Sequence, residues 1–335
     1  MIGGPAFLSF SAKGHTLALR LREALGGTAL CAHGTPDFSL TEWTRQTFEE
    51  DRDMVFVGAV GIAVRAVAPY LKSKATDPAV VAIDECGRFA VPVVSGHLGG
   101  ANDLARSVAA ICGATPVITT ATDSNGLFAV DEWARYQNCR VPDPHGIKKV
   151  SSAILAGETV RVCSAWEVEG TPPPRLEPGT REDCGILVTL HREDSPALAL
   201  VPHEAVLGVG CRKGTPREAI EEAFASFCRD RKLWSDAICC AATIDIKAEE
   251  PGLLAFCAAH GWPLSTYSAE ELNQVEGSFT ASPFVAKITG VDNVCERSAV
   301  RRSGGQLIET KYAGGGVTLA LALKPMKLNW RYQHE

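Results

Sequence analysis

The stretch from Gly58 to Asp123 constrains the fold more than any other part of the chain. Three times within it an apolar run of strand type breaks into a small polar or glycine-rich loop, and a helical pattern follows. The breaks are Gly58-Ala59-Val60-Gly61, Ser95-Gly96-His97-Leu98-Gly99-Gly100 and Thr119-Thr120-Ala121-Thr122-Asp123. Strand and helix alternating in this way imply an α/β fold, doubly wound, with a mostly parallel sheet covered by helices on both faces. In such a sheet the loops gather at the carboxyl ends of the strands, where ligands bind. The expectation is therefore one rim carrying His97, the Asp84-Glu85 pair, several hydroxyls and bare glycine backbone.

The alternation extends from Ala6 to Gln137, and 1–137 reads as an N-terminal α/β domain carrying this rim. After Asn138 the pattern changes to short strands around the loop Thr171-Pro172-Pro173-Pro174, so 138–203 reads as a small middle α/β region. A second α/β domain follows over 204–327, with capping boxes at Thr215-Pro216-Arg217-Glu218 and Ser268-Ala269-Glu270-Glu271, and 328–335 is a tail. At 335 residues and 46% apolar, the chain can bury more than one core. A net charge of −6 argues against a nucleic-acid partner, whose binders carry a basic patch. No apolar run is long enough to span a bilayer and the N-terminus lacks the pattern of a signal peptide, so the expectation is a cytoplasmic protein with no membrane contact. The twelve cysteines include no C-x-x-C pair; no metal site is expected, and the thiols read as small core hydrophobes, with Cys86 the exception in its turn.

The runs GAVGIAVRAVAPYLKSKATDPAVV, DECGRFAVPVVSGHLGGANDLA and PVITTATD resemble the N-terminal domain of the cobalt-precorrin-5A hydrolases, the CbiG family of anaerobic cobalamin synthesis. GIKKVSSAILAGE resembles that family's middle region. LGVGCRKGTPREAIEEAF, Gly277–Pro283, GVDNVCERSA and KYAGGGVTLALA resemble its C-terminal domain, so the resemblance covers nearly the whole chain. It implies a hydrolase that opens the δ-lactone of cobalt-precorrin-5A and releases acetaldehyde to give cobalt-precorrin-5B. It also implies no cofactor of the protein's own, because cobalt enters inside the substrate. The partners to expect are the corrinoid itself and, transiently, neighbouring methyltransferases of the pathway. A reading from another class is a non-catalytic tetrapyrrole carrier, suggested by the C-terminal block, since a related pathway uses a stand-alone domain of this kind.

Such a reaction needs an activated water, donors for an oxyanion, and cations for the carboxylate arms of the macrocycle. His97 is the candidate general base or acid, its ordinary pKa of about 6.5 suiting proton transfer; capping a backbone carbonyl is the competing role. Asp84 and Glu85 can orient His97 or act as base, or serve the turn. The N–H groups of Gly99 and Gly100, just before a helix, are candidate oxyanion donors. Ser95, Asn102, Thr119, Thr120 and Asp123 offer polar contacts on the same rim, with local capping as the alternative for each. Gly58 and Gly61 make a tight strand-to-helix turn, and Arg88 is the local carboxylate partner. In the second block Gly208, Gly210, Arg212 and Lys213, after a strand and before a capped helix, form a candidate anion-binding loop.

Overall fold

The computed structural model describes residues 4–73 and 76–332. Over these, the chain divides into two compact units, one comprising 4–135, 147–158 and 332, the other 136–146 and 159–331.

The first unit holds a six-stranded sheet of order β2-β1-β3-β4-β5-β6, built from β1 (Ala6–Ser9), β2 (Thr28–Cys31), β3 (Met54–Val57), β4 (Val80–Ile83), β5 (Phe89–Val94) and β6 (Thr115–Pro116). Its central strands are buried on both faces, which is why they read as continuous apolar runs rather than alternating ones. Phe7, Val55, Val81 and Ile83 pack on one side with Ala18 and Leu21 of α1 (Ala12–Leu25). Leu8, Met54, Phe56 and Val80 pack on the other, with α2 (Leu40–Glu49) and α3 (Val60–Val67) lying over the sheet. The α/β class and the mostly parallel sheet expected from the sequence are both present.

The single rim is not. β4 pairs antiparallel with β5, Val80 opposite Val94 and Ile83 opposite Ala90. Only the five residues Asp84–Arg88 join these strands, whereas a parallel crossover needs about a dozen or more; a hairpin is the one connection that length permits. β6 then runs parallel to β5. The loops after β5 and β6 therefore lie at the opposite edge of the sheet from those after β1, β3 and β4. Pro92 fits because β6 pairs with Phe89 and Ala90 alone, leaving the strand's outer edge without a ladder beyond them. The chain continues through α4 (Ala101–Cys112), α5 (Ala121–Ser124) and α6 (Val130–Tyr136). The sequence pattern reads the last of these as a longer helix over 127–137 and extends β6 to Thr120.

In the second unit a five-stranded sheet has order β10-β8-β11-β12-β7, from β7 (Cys139–Arg140), β8 (Val160–Ser164), β10 (Leu176–Pro178), β11 (Ile186–Val188) and β12 (Leu198–Pro202), while β9 (Val168–Glu169) lies outside it; only β7 is antiparallel to its neighbour. α7 (His145–Leu155) lies between β7 and β8 in the chain. A second five-stranded sheet, β15-β14-β13-β17-β16, uses β13 (Ala205–Cys211), β14 (Ile238–Ile244), β15 (Leu264–Tyr267), β16 (Gln306–Gly314) and β17 (Val317–Leu323). On one face Leu207, Val209, Leu319 and Leu321 pack with Ile220 and Phe227 of α8 (Arg217–Asp230) and Leu253 and Phe256 of α9 (Pro251–Ala259). The remaining helices are α10 (Ala269–Asn273), α11 (Pro283–Thr289) and α12 (Val294–Ser303), and a short β18 (Leu328–Asn329) pairs with β9. All twelve cysteines are free thiols, and Cys86 is exposed. Among the described residues no helix is long and apolar enough to cross a membrane.

Candidate functional site

At the edge of the first sheet where β5 ends, loops and helices bring ionisable side chains together around His97. Ser95 takes φ +58, and Gly100 takes the left-handed conformation at the start of α4. The loop between them closes tightly: a Cβ on Gly99 would sit 2.3 Å from Ser95 Cβ, so only glycine fits there. This turn presents the His97 ring to two elements. Nε2 lies 2.7 Å from Asp123 Oδ2 of α5, and Nδ1 lies 3.2 Å from Asp131 Oδ2 of α6. Asp123 also accepts from Thr120 Oγ1 and from Asn102 Nδ2, the latter at 3.3 Å, and its other oxygen accepts from Arg106 of α4. Arg106 bonds Asp103 at 2.7 Å, and Asp103 in turn pairs with Arg135 of α6. Glu132, fully buried, places Oε1 3.9 Å from His97 Nε2 and 3.7 Å from Arg106 Nη1, and neither of its oxygens has a hydrogen-bond partner.

Burial alone would lower the His97 pKa, but its hydrogen bonds to Asp123 and Asp131 and the charges of Asp131 and Glu132 outweigh that and push it up to about 10. The ordinary value used in reading the sequence therefore does not hold. For Asp123 burial acts upward, yet the bonds from His97 and Thr120 bring it down to about 2. Burial, with the Asp123 charge, pushes Glu132 up to about 7.

Several expected partners of His97 are elsewhere. Asp84 serves the β4–β5 turn, accepting from the backbone N–H groups of Cys86, Arg88 and Phe89, and Glu85 accepts from Ser11 Oγ at 2.7 Å. Both follow β4, at the other edge of the sheet, so neither orients His97. Gly58 and Gly61 lie on that edge too, at the end of β3 and in the first turn of α3, as does Arg88, whose exposed guanidinium pairs with Asp84 at 3.5 Å. The oxyanion role fails for Gly100, whose N–H bonds the His97 carbonyl at 2.9 Å; Ala101 and Asn102 likewise bond the carbonyls of Ser95 and Gly96. Gly99 is there for close packing. Thr119 is exposed, and the Ser95 hydroxyl is buried without a partner. His97, Asn102, Thr120 and Asp123 are brought together as residues of one cluster.

The acids of α6 and Arg106 escape a reading based on glycine-rich breaks. One signal was present: Asp131-Glu132 interrupts the otherwise apolar Leu127–Ala134, and adjacent acids inside a run that must be buried require partners.

In the second unit a concavity of about 1270 Å³ opens beside the last sheet. Its wall carries Ile246, Phe284 and Ile288, apolar side chains more than half exposed. Its rim carries Arg212, Lys213 and Lys311, while Lys247 is paired with Glu250 at 2.9 Å. The turn Gly314–Gly316, with φ +60 and +82 at its last two residues, joins β16 to β17 and brings bare backbone to the same rim. Glu296 of α12, fully buried, organises one side by accepting from the backbone N–H groups of Thr280 and Lys311 and from Asn293 Nδ2, each at 2.6 Å. Arg212 and Lys213 sit where an anion-binding loop was expected. Gly208 does not: it is buried within β13, where a Cβ would lie 1.8 Å from the carbonyl oxygen of Cys295 in α12, so its role is helix-on-strand packing. Gly210 is also in β13 but lines the concavity.

Comparison with known proteins matches three family descriptions in chain order: "Cobalamin synthesis G N-terminal" over residues 42–123, "Cobalamin biosynthesis central region" over 128–202 and "Cobalamin synthesis G C-terminus" over 205–322. The sequence is 36% identical over 304 residues to a cobalt-precorrin-5A hydrolase of Salmonella typhimurium, covering 86% of each chain. It is 32% identical over 300 residues to one from Priestia megaterium, covering 83% of this chain and 80% of that one. A protein of Sinorhizobium called CobE is 32% identical over 121 residues, 35% of this chain and 78% of its own.

Proposed function

The chain belongs to the cobalamin synthesis G family, and on that premise we propose that it is the hydrolase that opens the δ-lactone of cobalt-precorrin-5A, releasing acetaldehyde and leaving cobalt-precorrin-5B. The observation that carries this is similarity over 86% of both chains to a relative named for that activity. A carrier without catalysis is not favoured, because the relatives that match over 80–86% of both chains are named as hydrolases, and the one of CobE type spans only 35% of the chain. The reaction consumes water alone, so no cofactor is required to balance it. A cytoplasmic setting and transient contact with methyltransferases that act on neighbouring intermediates belong to the same reading.

Within the first unit this reading assigns the chemistry to the His97 cluster, where Asp123 and Asp131 bond the imidazole and Arg106 bonds Asp123. Within the second unit the concavity suits the macrocycle: its volume exceeds the range of about 300–1,000 Å³ usual for small ligands. Its exposed apolar wall suits a flat ring, and its rim cations suit acetate and propionate arms.

Two measurements test the reading. Mixing the purified chain with cobalt-precorrin-5A should release one acetaldehyde per substrate, detected with a carbonyl trap; tight binding with no aldehyde would sink it. Changing Arg212 and Lys213 together to glutamine should weaken substrate binding by about 3–10-fold at low salt, since exposed ion pairs contribute about 0.2–1 kcal/mol each. The difference should shrink as added salt screens the charges. An affinity and salt dependence identical to those of the unaltered chain would remove these residues from the site.

A further inference from the structure

From the arrangement around His97 we infer that the first unit holds a divalent transition-metal ion, ligated by His97 Nε2, Asp123 Oδ2 and a carboxylate oxygen of Glu132. The three donor atoms come from the β5–α4 loop, α5 and α6 and all lie within 4.8 Å of one another. A cation about 2.0–2.2 Å from each would space them about 3.3 Å apart. Nε2 is now 2.7 Å from Asp123 and 3.9 Å from Glu132, on either side of that value. With all three donors already within 4.8 Å of one another, side-chain adjustments on the order of 1 Å would close the site.

A group of acids is not by itself a metal site; Glu132 supplies the second observation. It is fully buried, both its oxygens lack hydrogen-bond partners, and it faces His97. A buried carboxylate left without partners is costly, and coordinating a metal is one of the standard remedies. Arg106 does not fill the gap, since its Nη1 stops 3.7 Å from Glu132 Oε1, beyond hydrogen-bond reach.

The surroundings have the form of an outer coordination shell. Metal-bound histidines hand their second ring nitrogen to a carboxylate that fixes the ring and its tautomer, and Asp131 stands 3.2 Å from His97 Nδ1. Thr120 and Asn102 donate to the Asp123 oxygen that would bind the ion, and Arg106 holds the other oxygen. Charge agrees as well. Once a bound ion has displaced the protons on His97 and Glu132, the carboxylates Asp103, Asp123, Asp131 and Glu132 carry four negative charges against two from Arg106 and Arg135, and one divalent ion restores neutrality. One imidazole with two carboxylates suits Zn²⁺, Mn²⁺, Fe²⁺ or Co²⁺ rather than a soft, thiolate-seeking ion. Under the hydrolase reading, a water on the open position would be acidified to a pKa of about 7. Its hydroxide adds to the lactone carbonyl, the ring C–O bond breaks and the released alkoxide takes the remaining proton.

The site is tested on the full chain without substrate, so its failure leaves the hydrolase reading standing, and absence of aldehyde release leaves the site standing. The purified protein should retain about one equivalent of metal. After chelation, titration with Co²⁺ should produce a saturable visible d–d absorption with no thiolate charge-transfer band, which separates this site from the cysteines. Glu132→Gln, nearly isosteric, should weaken Co²⁺ binding at least about 100-fold, and Asp131→Asn about 10–100-fold, with circular dichroism confirming the fold. Absence of a saturable Co²⁺ signal in the unaltered chain, or one that Glu132→Gln leaves undiminished, would overturn the inference.

Discussion

Replacing His97 with alanine is expected to lower the rate of acetaldehyde release by about 10²–10⁴-fold, the usual contribution of a group that handles a proton or activates water, with much less effect on substrate affinity. The ring is engaged at both nitrogens, by Asp123 at 2.7 Å and Asp131 at 3.2 Å. Glutamine has a single, non-titrating nitrogen and can make only one of the two bonds, so His97→Gln should not restore the rate. Single-turnover kinetics beside a binding titration separates the effects: kcat falls while the dissociation constant stays within a few-fold. Asp84→Asn and Glu85→Gln, at the other edge of the sheet, should leave the rate close to that of the unaltered chain. Near-normal turnover in His97→Ala would move the chemistry away from this cluster.

Gly208→Ala should be the most damaging small substitution in the second unit. The new Cβ would lie 1.8 Å from the carbonyl oxygen of Cys295 and 2.9 Å from the Ala299 Cβ. The first obstacle is helix backbone, so no rotamer change relieves it; β13 and α12 must move apart. Overpacking of this kind costs about 3 kcal/mol or more, which for a unit of this size lowers the melting temperature by about 6–12 °C. Gly214→Ala is the control. Gly214 has φ +74, but a Cβ there meets nothing within 4 Å, so the cost is only the backbone preference, about 1–2 kcal/mol. A Gly208→Ala melting point within about 2 °C of the unaltered chain would show that strand and helix separate easily.

Much of this was legible in the residues because it depends on local pattern. The short, largely apolar runs at Ala6–Ser9, Met54–Val57 and Val80–Ile83 are strands buried on both faces, and their length and spacing require helices between them. The capping box at Ser268 and Glu271 is present as written. His97, Asn102, Thr120 and Asp123 were also visible as polar residues beside glycines or hydroxyls after a strand, with local capping as the competing role for each. The direction of β5 was recoverable as well, since five residues cannot carry a chain back across a sheet; giving that length too little weight is what produced one rim where there are two edges.

What the sequence could not state is what lies against what. Gly208 and Gly210 look alike in the run Leu207–Cys211, but α12 covers the first and the concavity opens at the second. Asp84 and Glu85 have the composition of a catalytic pair, yet the nearest donors are their own turn and Ser11. Asp131, Glu132 and Arg106 join the candidate cluster only because α4, α5 and α6 come together around His97 and Asp123. The sequence by itself determined the class of fold, the family and the imidazole at its centre, since these follow from periodicity and short motifs. The tertiary structure alone decided which charges surround that imidazole, because electrostatic partnership acts over a few ångströms through space and leaves no fixed spacing along the chain.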